Sequence, residues 1–383
     1  MSTAISAYPC RVCGGALYAE PLLTLENMPG AAQFMPDADS VGDDMGVNLR
    51  VRQCSGCGAI QLSDPPVRYY REVVRAAAYS PEMAVYRREQ FAAFVAEYGL
   101  QDAAALEIGC GRGEYLSLLK EAGLNPHGLE FNPGSVAACI EEGLTASEGY
   151  LQRPDQQLAA GPFQAVFSFN FIEHMPDPVK ALRAACLNLT DDGVGLLEVP
   201  NFDMILRDKL FSEFIGDHLL YFTEQSFTQM LGMCGFEVIR CEQTWHDYIL
   251  TAHVRKRQRT DLSELGAYRQ KIHADVHAWL DAAPGRGRVA VWGAGHQALA
   301  VMSLLGLGKR CDYVVDSAPF KQGRFTPASH LEIFAPSQLR EDPVDAVLVM
   351  CASYSDEVAR ILRAEYDPNL TVAILREDGL ESV

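Results

Sequence analysis

Apolar residues fall along this chain in blocks whose spacing separates helices from strands. MAVYRREQFAAFVAEY, residues 83–98, places them at helical spacing and predicts a helix. The apolar run 104–108 reads as a strand. Gly109, Gly111 and Gly113 then make a tight turn, and a helix is predicted over 114–122. PHGLEFN supplies the next strand, ending in Glu130. FQAVFSFNFIEHMPDP supplies a strand and a loop, and LLEVPN another strand. GFEVIRCEQTW followed by YILTAHVRKR reads as a closing antiparallel pair. After the charged run RKRQRTDLSE, a helix is predicted over 265–282 and a second α/β unit begins. There RVAVWGAGHQALAVMSLLG is strand, glycine turn and helix, a further strand ends at Asp316, and DAVLVMCASYSDEVARIL is strand and helix.

The first seventy residues lack this alternation. They hold two pairs of cysteines, Cys10 with Cys13 in YPCRVCGGAL, and Cys54 with Cys57 in VRQCSGCGAIQL. Each pair can chelate a metal from one turn, and a glycine follows each, where such turns favour it. Four thiolates at this spacing match a closed tetrahedral zinc site. A complete cysteine set leaves no open position, so the ion would be structural. The loop-rich segment between the pairs, NMPGAAQFMPDADSVGDDMG, is too short to build a core of its own. The composition changes after Pro65-Pro66. Three domains are expected: a zinc module over 1–70, a core over 71–260 and a C-terminal domain over 261–383.

At 383 residues, more than one core is the sensible expectation. The net charge of −18 argues against a nucleic-acid partner, which requires a basic footprint. A small phosphorylated substrate is still compatible, since a few local arginines suffice for it. No apolar run is long enough to span a bilayer, and MSTAISAYPC lacks the features of a signal peptide. The expectation is therefore cytoplasmic, with no membrane partner, as a monomer or weak homodimer. The eleven cysteines then read as thiols or metal ligands, not disulfides.

A lone G-x-G-x-G turn is weak evidence, because dinucleotide-binding folds use glycine turns too. The flanks separate the two. Glu107 precedes the turn, as in class I methyltransferases, and Glu130 sits about 20 residues beyond it, where an acid can accept both ribose hydroxyls of a nucleoside. S-adenosylmethionine is the cofactor this pattern points to, with Glu107, Gly109, Gly111, Gly113, Glu130 and Asn170 as its binding residues. Cys110, inside the loop, reads as buried filler. GAGHQA in the second unit lacks the full G-x-G-x-x-G pattern, so a degenerate Rossmann-like domain is expected there.

The paired cysteine motifs, this core and the tail DSAPFKQGRFTPASHLEIF occur together. In that order they resemble the sugar C-methyltransferases of deoxysugar pathways. The resemblance implies an N-terminal zinc module, a class I methyltransferase core and a Rossmann-like C-terminal domain. That family carries D-x-x-P-x-K-Q-G-R-x-x-P-G in its tail, and here the last glycine is Ala328. Its Y-x-E-H-x-x-Y-F segment corresponds to IGDHLLYF, aligning His218, Tyr221 and Phe222, with Asp217 for the glutamate and Ile215 for the leading tyrosine. Its A-N-x-x-A-H-I loop corresponds to FNFIEHM, leaving Asn170 and His174 as the matching polar positions. Tyr79 lies near the place of a family active-site tyrosine.

The resemblance implies C-methylation of a nucleotide-linked keto-deoxysugar, with His218 as the general base. Histidine suits that task because its ordinary pKa lies near neutrality. Asp217, Tyr79 and His174 complete the candidate catalytic set. Lys321 and Arg324 are candidates for a substrate diphosphate. An alternative is N-, O- or C-methylation of another small metabolite in a remodelled pocket, and a third reading is a non-catalytic scaffold. The intact cofactor loop argues against the third. The departures at Ile215 and Asp217 keep the second open.

Overall fold

The protein is seen in a computed structural model that describes residues 5–33, 35–71, 80–284 and 287–383. It divides into two compact units, Met1–Arg259 and Thr260–Val383. Among the described residues, no helix is long and apolar enough to cross a membrane.

The first unit opens with β1 (Ile5–Pro9) and β2 (Ala16–Tyr18), an antiparallel pair, then β3 (Leu23–Met28), β4 (Val47–Gln53) and β5 (Ile60–Leu62). Helix α1 (Pro81–Tyr98) follows. Ser80 caps its N-terminus by accepting the Met83 N–H, and Gly99 closes it in the left-handed region. Next come β6 (Ala104–Ile108), α2 (Glu114–Glu121), β7 (Asn125–Glu130), α3 (Pro133–Glu141), β8 (Thr145–Glu148), β9 (Phe163–Phe169), α4 (Pro178–Leu187), β10 (Leu189–Pro200), α5 (Phe202–Asp208), β11 (Leu220–Tyr221), α6 (Glu224–Met233), β12 (Phe236–Thr244) and β13 (Ile249–Lys256).

Seven of these strands form one sheet in the order β12-β13-β10-β9-β6-β7-β8. Strands β8 to β10 run parallel, and β13 enters antiparallel between β10 and β12. The expected closing pair is therefore β12 and β13. The strand order reverses between β6 and β9, and an open α/β sheet binds its ligand at the carboxyl ends of the strands flanking such a switch.

Helix α1 is held to this sheet by a buried ion pair. Arg87 lies 2.6 Å from Glu198 with both side chains fully covered. Gln90 and Thr251 donate to the same carboxylate at 2.7 and 2.9 Å. The rings of Tyr115 and Phe169 flank the guanidinium at 4.8 Å. Removing one partner would strand the other charge in an apolar interior, which is far more costly than the net worth of the pair.

The N-terminal strands are stitched to this core. β11 pairs antiparallel with β5, giving a four-stranded sheet in the order β11-β5-β4-β3. Cys10, Val12, Leu17 and Cys54 share one buried cluster with Ile172, Met175, Leu220 and Phe222.

The second unit contains α7 (Ser263–Asp281), β14 (Val289–Trp292), α8 (His296–Leu304), β15 (Tyr313–Val315), β16 (Arg324–Phe325), β17 (Glu332–Phe334), α9 (Gln338–Glu341), β18 (Ala346–Val349), α10 (Ser355–Glu365), β19 (Thr371–Leu375) and β20 (Leu380–Ser382). Its sheet runs β16-β17-β15-β14-β18-β19-β20, with β17 through β19 parallel. A second switch point thus falls between β14 and β18.

Candidate active site

The glycine loop sits at the end of β6, on the switch point of the first sheet. Gly109 (φ 72°) and Gly113 (φ 93°) adopt the left-handed region, where side chains are disfavoured. Space forbids a substituent as well. A Cβ on Gly109 would lie 2.7 Å from the Phe171 ring, and one on Gly113 would lie 2.5 Å from Leu144. Gly111 has φ 58° and offers its N–H to Glu130 Oε2 at 3.0 Å. The Asn132 N–H holds Oε1 at 2.9 Å. Glu130 is thereby fixed at the end of β7 beside the loop. Glu107 is buried within β6. Asn170 ends β9 at φ 47°, a conformation asparagine tolerates better than most residues. Its side-chain oxygen is buried without a hydrogen-bond partner. Cys110 is fully buried, as expected of filler.

Around the loop the structure gathers aromatic rings that motif reading overlooked. Tyr150 lies 6.4 Å from both Phe131 and Phe171, each edge-on. The Arg71 guanidinium lies over Phe131 at 5.4 Å and Tyr150 at 5.5 Å. Phe131 immediately follows Glu130, which is the signal that could have found it. Replacing Glu130 with alanine is expected to cost on the order of 2–3 kcal/mol of cofactor affinity, the worth of a charge-assisted two-point contact. Titration calorimetry with S-adenosylmethionine measures this, and unchanged affinity would remove Glu130 from the site.

A second group of polar residues lies next to the loop. Packing runs continuously from Gly109 to the Phe171 ring, from Phe171 to His174 (ring centroids 6.5 Å), and from His174 to His218 (4.7 Å, edge-on). His174 Nδ1 is 2.9 Å from the Asp217 carbonyl oxygen. A carbonyl only accepts, so this contact assigns the proton to Nδ1 and leaves Nε2 as the free acceptor. Nε2 faces Glu173 Oε1 at 3.8 Å. Glu173 Oε2 is buried without a hydrogen-bond partner. The ligand-type atoms of Glu173, His174 and His218 lie within 4.8 Å of one another. Glu173 and His174 are buried, and His218 is the partly exposed member.

Burial sets the electrostatics of this group. It pushes the Glu173 carboxyl up to about 8. It pulls His174 down to about 4, partly offset by the Asp217 carbonyl. Burial, then the neighbouring His174, pulls His218 down to about 3, partly offset by Asp217. The near-neutral pKa that made histidine attractive as a base does not describe His218 in this setting. Desolvation disfavours its charged form.

Asp217 itself turns toward the N-terminal strands, where Oδ2 accepts the Ala32 N–H at 3.1 Å. The Tyr69 hydroxyl accepts from the same N–H at 3.1 Å, and burial with an Asp217 hydrogen bond raises its pKa. The tyrosine brought to this acid is therefore Tyr69. Tyr79 falls outside the described residues. Tyr221 binds the backbone N–H of Ile215, and Phe222 is core. Glu173 stood in the sequence as one acid within the apolar stretch FNFIEHM, and that contrast was its signal.

The four N-terminal sulfurs also come together. Cys10 and Cys57 Sγ atoms are 3.6 Å apart, those of Cys13 and Cys54 3.5 Å, and all four lie within 4.8 Å. A tetrahedral ion with bonds of about 2.3 Å places its sulfur ligands about 3.8 Å apart. Backbone N–H groups of Val12, Gly15, Gly56 and Cys57 point at the sulfurs at 3.3–3.4 Å, an arrangement that favours thiolate.

In the second unit, Asp316 accepts the Ala294 and Ala318 N–H groups at 2.8 and 2.9 Å, and Lys321 Nζ at 2.8 Å. Lys321 is thus committed to Asp316 within its own turn, and Arg324 is exposed on β16. A cavity of about 540 Å³ opens at the switch point, lined by Gly293, His296, Asp316, Lys321 and Tyr354 among others.

Comparison with known proteins adds the following. Residues 83–240 match the methyltransferase domain family, and residues 252–370 match the C-methyltransferase C-terminal domain family. The C-methyltransferase NovU of Streptomyces niveus is 23% identical over 91% of this chain and 90% of its own length. A ubiquinone biosynthesis O-methyltransferase of Pseudomonas aeruginosa is 30% identical over 25% of this chain and 43% of its own. Among solved structures, the PH0226 protein of Pyrococcus horikoshii has a TM-score of 0.41 at 13% identity, covering 50% of this chain and 100% of its own.

Proposed function

We propose that the substrate of this S-adenosylmethionine-dependent C-methyltransferase is a nucleotide-linked keto-deoxysugar and that His218 is the base. The observation that carries the reading is the unbroken packing from Gly109 through Phe171 and His174 to His218. It sets a partly exposed imidazole one layer of side chains from the cofactor loop.

When bound, the cofactor supplies an electrophilic methyl group on a sulfonium leaving group. The protein must then align a nucleophile and take a proton from it. A carbon beside a ketone becomes nucleophilic only as its α-proton leaves. His218 takes that proton. His174, oriented by the Asp217 carbonyl, backs the His218 ring. Asp217, held by Ala32 and Tyr69, fixes the loop from which His218 projects. Glu107, Gly109, Gly111, Gly113, Glu130 and Asn170 hold the cofactor. Zinc held by Cys10, Cys13, Cys54 and Cys57 is the proposed structural ion, supported by the sulfur spacing and the N–H groups aimed at it.

The test is incubation with a dTDP-4-keto-6-deoxysugar, with and without S-adenosylmethionine. The expected result is a product heavier by one methyl group on carbon, formed only with the cofactor. Absence of product across keto-sugar nucleotides, with methylation of an amine or hydroxyl metabolite instead, would move the assignment to N- or O-transfer.

A further inference from the structure

An imidazole pulled down to about 3 is a poor place to leave a proton taken from carbon. Something next to it must make it basic or relieve it of the proton. The structure offers one group for this. Glu173 is buried, its Oε2 lacks a hydrogen-bond partner, and its Oε1 faces the lone-pair nitrogen of His174. Two acceptors facing each other at 3.8 Å, away from water, need a cation between them. A proton and a metal ion are the two choices. A divalent ion bonded to all three residues at about 2.1 Å would draw their ligand atoms to roughly 3.0–3.4 Å. Glu173 Oε1 and His174 Nε2 stand 3.8 Å apart, wider than that, whereas the paired sulfurs of the cysteine group already stand near metal-ligand spacing.

We propose that Glu173 is a proton-holding positioning residue, and that the proton His218 removes from the substrate carbon comes to rest on its carboxylate. The inference rests on His218 being the base. The substrate C–H bond breaks and its electron pair stays on carbon as the enolate. The proton forms an N–H bond on His218. It then passes to a Glu173 oxygen, directly or through His174 Nε2, leaving both imidazoles neutral and the carboxylate as a carboxylic acid. No positive charge remains in a site that desolvates it, and water reaches the group through His218, its partly exposed member. Among the described residues, Tyr248, whose hydroxyl donates to Glu213, also feels this carboxyl and brings no cation to it.

The working form is the carboxylate. With Glu173 held near 8 by burial, its fraction grows as pH rises through that value. Wild-type turnover and solvent-deuterium exchange at the substrate α-carbon should therefore climb about tenfold per pH unit below about 8 and level off above it. Glu173→Gln keeps the shape and loses the acceptor. It should lower exchange by on the order of 10²-fold at high pH and leave a flat profile. A protonated-carboxyl infrared band that titrates near 8 in the wild type should be missing from the variant. That spectrum needs no activity, so it stands even if the variant is impaired in folding. The proposal is overturned if Glu173→Gln keeps the wild-type pH limb, if no carboxyl band titrates near 8, or if purified protein holds a second metal that Glu173→Gln loses. Persistence of exchange in His218→Asn would instead sink the base assignment, so the two failures are distinguishable.

Discussion

His218→Asn should keep the fold and cofactor binding but lower turnover by about 10²- to 10⁴-fold, the usual worth of a positioned general base. Asparagine retains polarity and roughly the volume of the ring, and it cannot accept a proton at working pH. The loss should fall on kcat, because the interaction removed is made only as the proton moves. Solvent-deuterium exchange at the substrate α-carbon, measured without S-adenosylmethionine, should vanish in the same variant. Exchange at the wild-type rate would show that His218 is not the base, and His174 or Tyr79 would be next. If no substrate proton exchanges even in the wild type, an N- or O-nucleophile fits better, since an amine needs little beyond alignment and one proton acceptor.

Loss of the proposed zinc should have an effect of similar size through a different route. Structural zinc in small modules contributes on the order of 10–16 kcal/mol of apparent binding free energy, and that energy is folding energy. Cys54→Ser, or strong chelation, should therefore unfold the N-terminal strands. The consequence should reach the chemistry. β5 pairs with β11, which begins two residues after His218, and Ala32 holds Asp217. Unfolding this seam releases the loop that carries His218. Thermal unfolding by circular dichroism should show a lower midpoint, and turnover should fall by at least about 10²-fold, the worth of a positioned base. Freshly purified protein should carry about one equivalent of zinc. Less than about half an equivalent, together with four titratable thiols, would rule the site out.

Much of the architecture was legible before any coordinates. Helix α1 and strand β6 fall within a few residues of their sequence-based limits, because α1 shows helical periodicity and β6 is a short apolar run bounded by glycine. The glycine loop was legible for the same local reason: positive φ and close packing admit only glycine at Gly109 and Gly113. The cysteine quartet was legible because its two halves are each a four-residue motif. The partner of Lys321 was not legible, since nothing in KQGR reveals that its amine turns back onto Asp316.

Short-range spacing, then, determined the glycine loop, the Glu130 position and the thiol pairs. Only the tertiary structure decided what surrounds His218. Residues 173–174 and 217–218 are more than forty positions apart, and their meeting depends on β11 joining the N-terminal sheet. That packing buried Glu173 and His174, drove the imidazoles and the carboxyl in opposite directions on the pKa scale, and turned Asp217 to Ala32 and Tyr69 while leaving Glu173 beside the histidines. Desolvation is a property of everything packed around a group, and no local run of residues encodes it.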